Sequence, residues 1–131
     1  MAVVRTLVVD HVLFVVKNLR ASRTFYTAAL GPLGFQVMNE QEDGIGLGAE
    51  KADDFALFQG KLGEPTTTAA HLAFVAESRE AVDAFFEAAM ASGGTEIRRP
   101  GVRPEYHAGY YAAFVFDPDR NNVEAVYHGP H

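Results

Sequence analysis

Residues 11–34, HVLFVVKNLRASRTFYTAALGPLG, and residues 71–94, HLAFVAESREAVDAFFEAAMASGG, are one pattern written twice. At a constant offset, His11 meets His71, Phe14 meets Phe74, Val15 meets Val75, Ala21 meets Ala81, Phe25 meets Phe85, Ala29 meets Ala89 and Gly34 meets Gly94. Each copy opens on a β-branched and aromatic run that reads as a buried strand. Each then passes through a helix N-cap residue, Asn18 or Ser78, into apolar positions at helical spacing. In the first copy these are Leu19, Phe25, Tyr26, Ala29 and Leu30, and Gly31-Pro32 stops the run; in the second they are Val82, Phe85, Phe86, Ala89 and Met90, stopped by Ser92-Gly93-Gly94. A repeat of this length marks a duplicated supersecondary unit that buries its apolar face against its copy.

The rest of the chain extends the repeat. The first strand is expected over 7–16, and further short strands over 35–38 and 55–59, with 44–48 between them a strand or a loose edge, followed by a linker at 60–69 with Gly63, Pro65 and a threonine run. In the second half, 98–109 reads as a longer loop, so the alignment slips after the helix and residues 55–57 pair with 123–125. Residues 110–128, YYAAFVFDPDRNNVEAVYH, form a hairpin whose turn is dense in Asp, Pro and Asn. Glu124 lies inside its apolar second arm, on the face shared with Val126 and His128, and Ala56 is its counterpart in the first half. A carboxylate there is either solvated at an edge or serves a cleft. Tyr110 and Tyr111 read as packing residues, one on each face. The fold class is α+β: duplicated β-α-β-β-β modules, 8–60 and 69–128, forming a curved mixed-sheet cleft within one domain spanning 1–131.

Composition bounds the function. The 131 residues carry a net charge of −6, 48% apolar residues and no cysteine. A general affinity for nucleic acid or an anionic membrane needs a clustered basic surface, which this balance argues against. Disulfides, thiolate ligands and cysteine nucleophiles are excluded. Residues 1–10 carry Arg5 and Asp10 within a short apolar run and read as neither a signal peptide nor a membrane span, so a cytoplasmic protein is expected.

The equivalence of His11 and His71 is the chemical signal. If the halves pack about a pseudo-twofold axis, the two first strands and the last strand bring His11, His71 and Glu124 to one point. Two imidazoles and a carboxylate with open positions suit Fe(II), and similar sets serve Mn(II), Zn(II) or Ni(II). The spaced elements His11-Val12, Asn18-Leu19-Arg20-Ala21-Ser22, Phe25-Tyr26-Thr27 and Leu30-Gly31 resemble the first-module signature of the vicinal oxygen chelate superfamily, which includes glyoxalase I, bleomycin-resistance proteins, fosfomycin-resistance thiol transferases and extradiol dioxygenases. His71-Leu72-Ala73-Phe74 and the run from Asp117 to Glu124 resemble its second. The resemblance implies paired modules, a homodimer and a divalent metal on the equivalents of His11, His71 and Glu124.

Departures narrow the resemblance. Glyoxalase I uses a fourth ligand where this chain has Ala56, and Asp54 is the nearest substitute. The catalytic tyrosine of extradiol dioxygenases falls at Phe114. Arg120 stands where the family turn has glycine, leaving Asn121 as the residue to take the left-handed conformation. Bleomycin-type binders lack the ligands retained here. Arg103, Tyr106 and His107, just before the hairpin, are candidate catalytic residues for proton transfer or for holding an anionic oxygen. His128 is a candidate outer partner of Glu124. The expected function is metal-dependent catalysis, of lyase, dioxygenase or transferase type, on a small molecule with neighbouring oxygens. The alternative is a binding or resistance protein for an antibiotic or toxin, acting by sequestration or thiol transfer.

Overall fold

The computed structural model describes residues 7–130, so most of the stretch read as neither signal nor span lies outside the described residues. Among them, no helix is long and apolar enough to cross a membrane. The first module comprises β1 (Val12–Val16), α1 (Leu19–Leu30), a 3-10 turn (Gly31–Leu33), β2 (Gln36–Gln41), β3 (Gly44–Gly48) and β4 (Phe55–Gln59). The second comprises β5 (His71–Val75), α2 (Arg79–Ala91), β6 (Thr95–Val102), β7 (Tyr110–Phe116) and β8 (Asn122–His128). Two mixed four-stranded sheets result, ordered β1-β4-β3-β2 and β5-β8-β7-β6. In each, the first and last strands of the module are parallel neighbours and the other pairs are antiparallel.

The register carries the repeat. Leu13 lies opposite Ala56 as Ala73 lies opposite Glu124, so Ala56 is the structural counterpart of the carboxylate. Both helices start at the anticipated caps: the Asn18 side chain accepts from Ala21 N–H and Ser78 Oγ from Ala81 N–H, each at 3.1 Å. Their apolar stripes, with Phe25, Tyr26 and Leu30 on α1 and Val82, Phe85 and Ala89 on α2, are buried. One core runs through both modules, with Phe55 at its centre: its ring meets Phe14 at 5.0 Å, Tyr26 at 4.9 Å and, across the module boundary, Phe74 at 5.6 Å.

Three local expectations are corrected. The expected strand at 7–16 begins at Val12, because its partner begins at Phe55 after the turn around 49–54, and among the described residues no strand pairs with the exposed Leu7, Val8 and Val9. The expected loop at 98–109 is strand as far as Val102. Register shifts on either side of Arg98 absorb Pro100 and Gly101, and β6 is an edge strand, where a missing proline N–H is tolerated. Arg120, not Asn121, takes the left-handed conformation, with φ 68°.

The reason for the last is a buried network. The Asp117 carboxylate accepts from Asp119 N–H and Asn121 N–H at 2.8 Å, from the Asn121 amide at 3.0 Å and from the Tyr26 hydroxyl at 2.5 Å. Asn121 also donates to Thr67 O and accepts from Ala70 N–H. Asn121 is thus committed on every side, and the adjacent exposed Arg120 takes the positive φ while its guanidinium stacks 4.0 Å above Phe116. Through Tyr26 the turn of the second module grips α1 of the first.

Candidate functional site

Alternation along the strands gives each sheet one face in the shared core and one outside it. On the second sheet the core face of β7 and β8 carries Ala113, Val115, Val123 and Ala125, while Phe114, Ala112, Val126 and Glu124 lie on the other. Glu124 is only 2% exposed, so the solvated alternative fails. Its two oxygens are both engaged. Oε1 meets His71 Nε2 at 2.8 Å, and Oε2 accepts from the Tyr110 hydroxyl. His71 stands at the start of β5, beside β8, with its side chain 53% exposed, so the pair opens to solvent on the imidazole side.

Tyr110, expected from the sequence to pack, is a residue of the site. Tyr110 faces His128 across the β7–β8 ladder, Ala112 faces Val126 and Phe114 faces Glu124. Only the small Ala112 intervenes along β7, so the long phenol reaches Glu124. The pairing of Tyr110 with His128, two alternations from Glu124 on one face, was the signal available in the sequence. Burial first, then the hydrogen bond to Glu124 and its charge, push the phenol's pKa far up, so it remains a neutral donor. Phe114, buried opposite Glu124, lies 6.0 Å from the His71 ring and offers no proton.

Around this centre the loop 103–109 supplies a group of rings. His107 Nε2 meets His128 Nδ1 at 2.9 Å, and the two rings stack at 5.2 Å. Gly109 N–H points at His107 Nδ1, 3.1 Å away, which makes that atom the acceptor and leaves Nε2 to donate to His128. Tyr106 and His107 both pack on the Tyr110 ring, at 4.7 and 5.4 Å. His128 is therefore a partner of His107. Arg103 is 9% exposed; its guanidinium donates to Val102 O at 3.3 Å and to Arg99 O, and sits 6.0 Å from the Phe114 ring.

His11 lies elsewhere. It precedes β1, bonds Asp10 through Nδ1 at 2.6 Å, and lines a cleft of about 260 Å³ on the first sheet with Leu13, Asn39, Gly46, Asp53 and Ala56. Asp53, bonded by the Asn39 amide, lines that cleft together with Asp10. Gly46 makes room for this pair, since a Cβ there would run into both side chains. Asp54, considered as a substitute ligand, instead accepts from Ala49 N–H at 3.1 Å and closes the turn. Within the chain the structure thus brings His71 and Glu124 together and leaves His11 on the other sheet. Among the described residues, no three His, Asp or Glu side chains gather to hold a metal.

The chain and its fold resemble known proteins. The chain is 34% identical over 125 residues to the uncharacterized protein YqjT of Bacillus subtilis (strain 168), covering 88% of this chain and 95% of that one. The crystal structure of a glyoxalase/bleomycin resistance protein from Albidiferax ferrireducens T118 superposes with a TM-score of 0.78 at 32% identity, covering 92% and 98% of the two chains. A glyoxalase I mutant from Zea mays shares the fold, with a TM-score of 0.70 at 23% identity over 90% of this chain and 45% of that one. The family model for the Glyoxalase/Bleomycin resistance protein/Dioxygenase superfamily matches residues 8–125. The chain belongs to that superfamily, the vicinal oxygen chelate proteins.

Proposed function

We propose that the protein is a metal-dependent enzyme, of lyase, dioxygenase or transferase type, acting in the cytoplasm on a small molecule with neighbouring oxygens. The observation that carries the reading is the contact between His71 and Glu124, a nitrogen and an oxygen donor 2.8 Å apart, in a strand that otherwise buries apolar residues. A nearly buried carboxylate is costly unless it is paired. His71 and Tyr110 supply partners, and a divalent ion suits the same nitrogen and oxygen donors.

One chain provides two donors for such an ion, so the proposal includes a homodimer in which His11 of a second copy is the third. Two observations support it. His11 and His71 are equivalent positions of the repeat, and each is open to solvent. Among the described residues the edge strand β5 presents Ala73 and Val75 outward, Val75 at 71% exposure, and β1, the edge strand of the other sheet, presents exposed Leu13, so each sheet edge carries uncovered apolar side chains. A bound ion would polarise a substrate oxygen. Glu124 would contribute the negative charge, His71 a neutral nitrogen, and Tyr110 would hold the carboxylate's orientation through its hydroxyl.

Metal analysis of protein purified without chelator tests the proposal, together with Glu124→Gln. The expected outcome is one ion per chain in the wild type, lost in the variant, with the fold retained because the amide keeps the carboxylate's shape. Unchanged metal content and metal-dependent melting in Glu124→Gln would remove the carboxylate from the site. Light scattering at micromolar concentration checks the dimer, and a monomer that still binds the ion would exclude a shared site.

A further inference from the structure

The reading above leaves Arg103 unexplained. Its cation is nine-tenths buried, its guanidinium donates to the carbonyls of Val102 and Arg99, and its Nε is buried with no hydrogen-bond partner among the described residues. Buried guanidinium groups are ordinarily matched by an anion, and an unmatched donor in a native fold calls for a functional explanation. A second cation, Arg98, lies near the same ring. Both guanidinium carbons are 6.0 Å from the Phe114 ring, which faces Glu124 across the ladder and His71 edge to face. Two positive charges are thus held on the one ring that floors the candidate site.

The charge paired with Arg98 is replaceable. Arg98 bonds Glu105 at 2.9 Å, with both side chains about half exposed. An exposed pair of this kind contributes little to stability, so an incoming anion displaces it at small cost. The Glu105 carboxyl is held below its usual range by the Arg98 hydrogen bond foremost, with the charge of Arg103 adding to it, so both cations act where that carboxylate sits.

The geometry points to an anion-binding subsite in which Arg98, backed by the buried charge of Arg103, takes a carboxylate or phosphoryl group of the substrate in place of Glu105. This rests on the proposed function and deepens it: the substrate is a small anion whose charged group lies on the Arg98 side of Phe114 and whose neighbouring oxygens lie toward His71 and Glu124. Glu105 then acts as an internal placeholder that keeps the subsite paired until the substrate arrives.

The test uses metal-free, full-length protein and three probes: lactate, its neutral amide lactamide, and inorganic phosphate. Binding is read from the arginine Nε–H resonances in NMR titrations. One of the anions is expected to bind at least tenfold tighter than lactamide, and which one does so identifies the group. Glu105→Gln is expected to tighten that binding several-fold, whereas Arg98→Gln and Arg103→Gln each weaken it at least tenfold. Equal binding of both anions and the amide, no saturable shift with either anion, or no effect of Glu105→Gln and Arg98→Gln would overturn the inference. Those two exposed substitutions keep the test decisive if Arg103→Gln fails to fold. The two readings fail separately: an intact anion preference in a protein that never takes up metal removes only the metal reading, and Glu124-dependent metal binding without the preference removes only the subsite.

Discussion

Tyr26→Phe isolates the bond that ties the two modules together. The phenol is fully buried and its hydroxyl donates to Asp117 Oδ2 at 2.5 Å, across 91 residues of sequence. Phenylalanine keeps the ring contacts with Phe25 and Phe55, so the change removes one hydrogen bond and little packing. A hydrogen bond to a charged group contributes about 1.5–3 kcal/mol. Asp117 Oδ2 retains the Asn121 amide, so the carboxylate is not orphaned, and about 2 kcal/mol is expected. For 131 residues the unfolding entropy is about 0.28 kcal/mol/K, which makes that loss a fall in Tm of about 7 °C. Urea denaturation of Tyr26→Phe, Asp117→Asn and the double variant would give the coupling directly, expected at 1 kcal/mol or more. The phenol's pKa is pushed well above its ordinary value, by burial first and then by Asp117, so its contribution is complete below about pH 10 and is lost as pH rises beyond that. The variant should therefore lose stability less steeply than wild type in that alkaline window. A Tm change under 2 °C with negligible coupling would show that the turn does not grip α1 through this bond.

Three further outcomes are expected. Arg120→Gly should relieve a left-handed residue that costs about 1–2 kcal/mol while losing the stacking on Phe116 and some chain stiffness; a net gain of up to about 1 kcal/mol is expected by thermal melting, and a loss would mean that the stacking dominates. The Asp119 carboxyl is raised by burial above its unfolded range, so its charge lowers stability as pH rises through the folded value. Asp119→Asn, which keeps an oxygen for Lys17 N–H, should match or exceed wild type at pH 7 and show no advantage at pH 3, as read by urea midpoints. Tyr110→Phe should weaken metal binding about 10- to 100-fold in competition titrations while the fold persists, because Glu124 loses the donor that orients it; unchanged affinity would make the bond incidental.

The modular architecture was legible because its causes are local and repeated. Strand and helix periodicity, the caps at Asn18 and Ser78 and the matched positions of the two copies each act over a few residues, and together they define the duplicated β-α-β-β-β unit. The counterpart relation of Ala56 and Glu124 followed from the same alignment, since side-chain alternation leaves little freedom once strands are matched. Where a neighbour decided, the sequence was silent. β1 is as short as its partner β4 permits, and β6 keeps Pro100 because it lies at a sheet edge. Arg120 takes the left-handed conformation because Asn121 is claimed by Asp117, Thr67 and Ala70. Tyr110 reaches Glu124 because the residue between them along β7, Ala112, is small. The separation of His11 from the His71–Glu124 pair was likewise a matter of how two sheets pack around one core. Two identical local patterns specify two equivalent histidines, but the distance between them belongs to the packing of the modules.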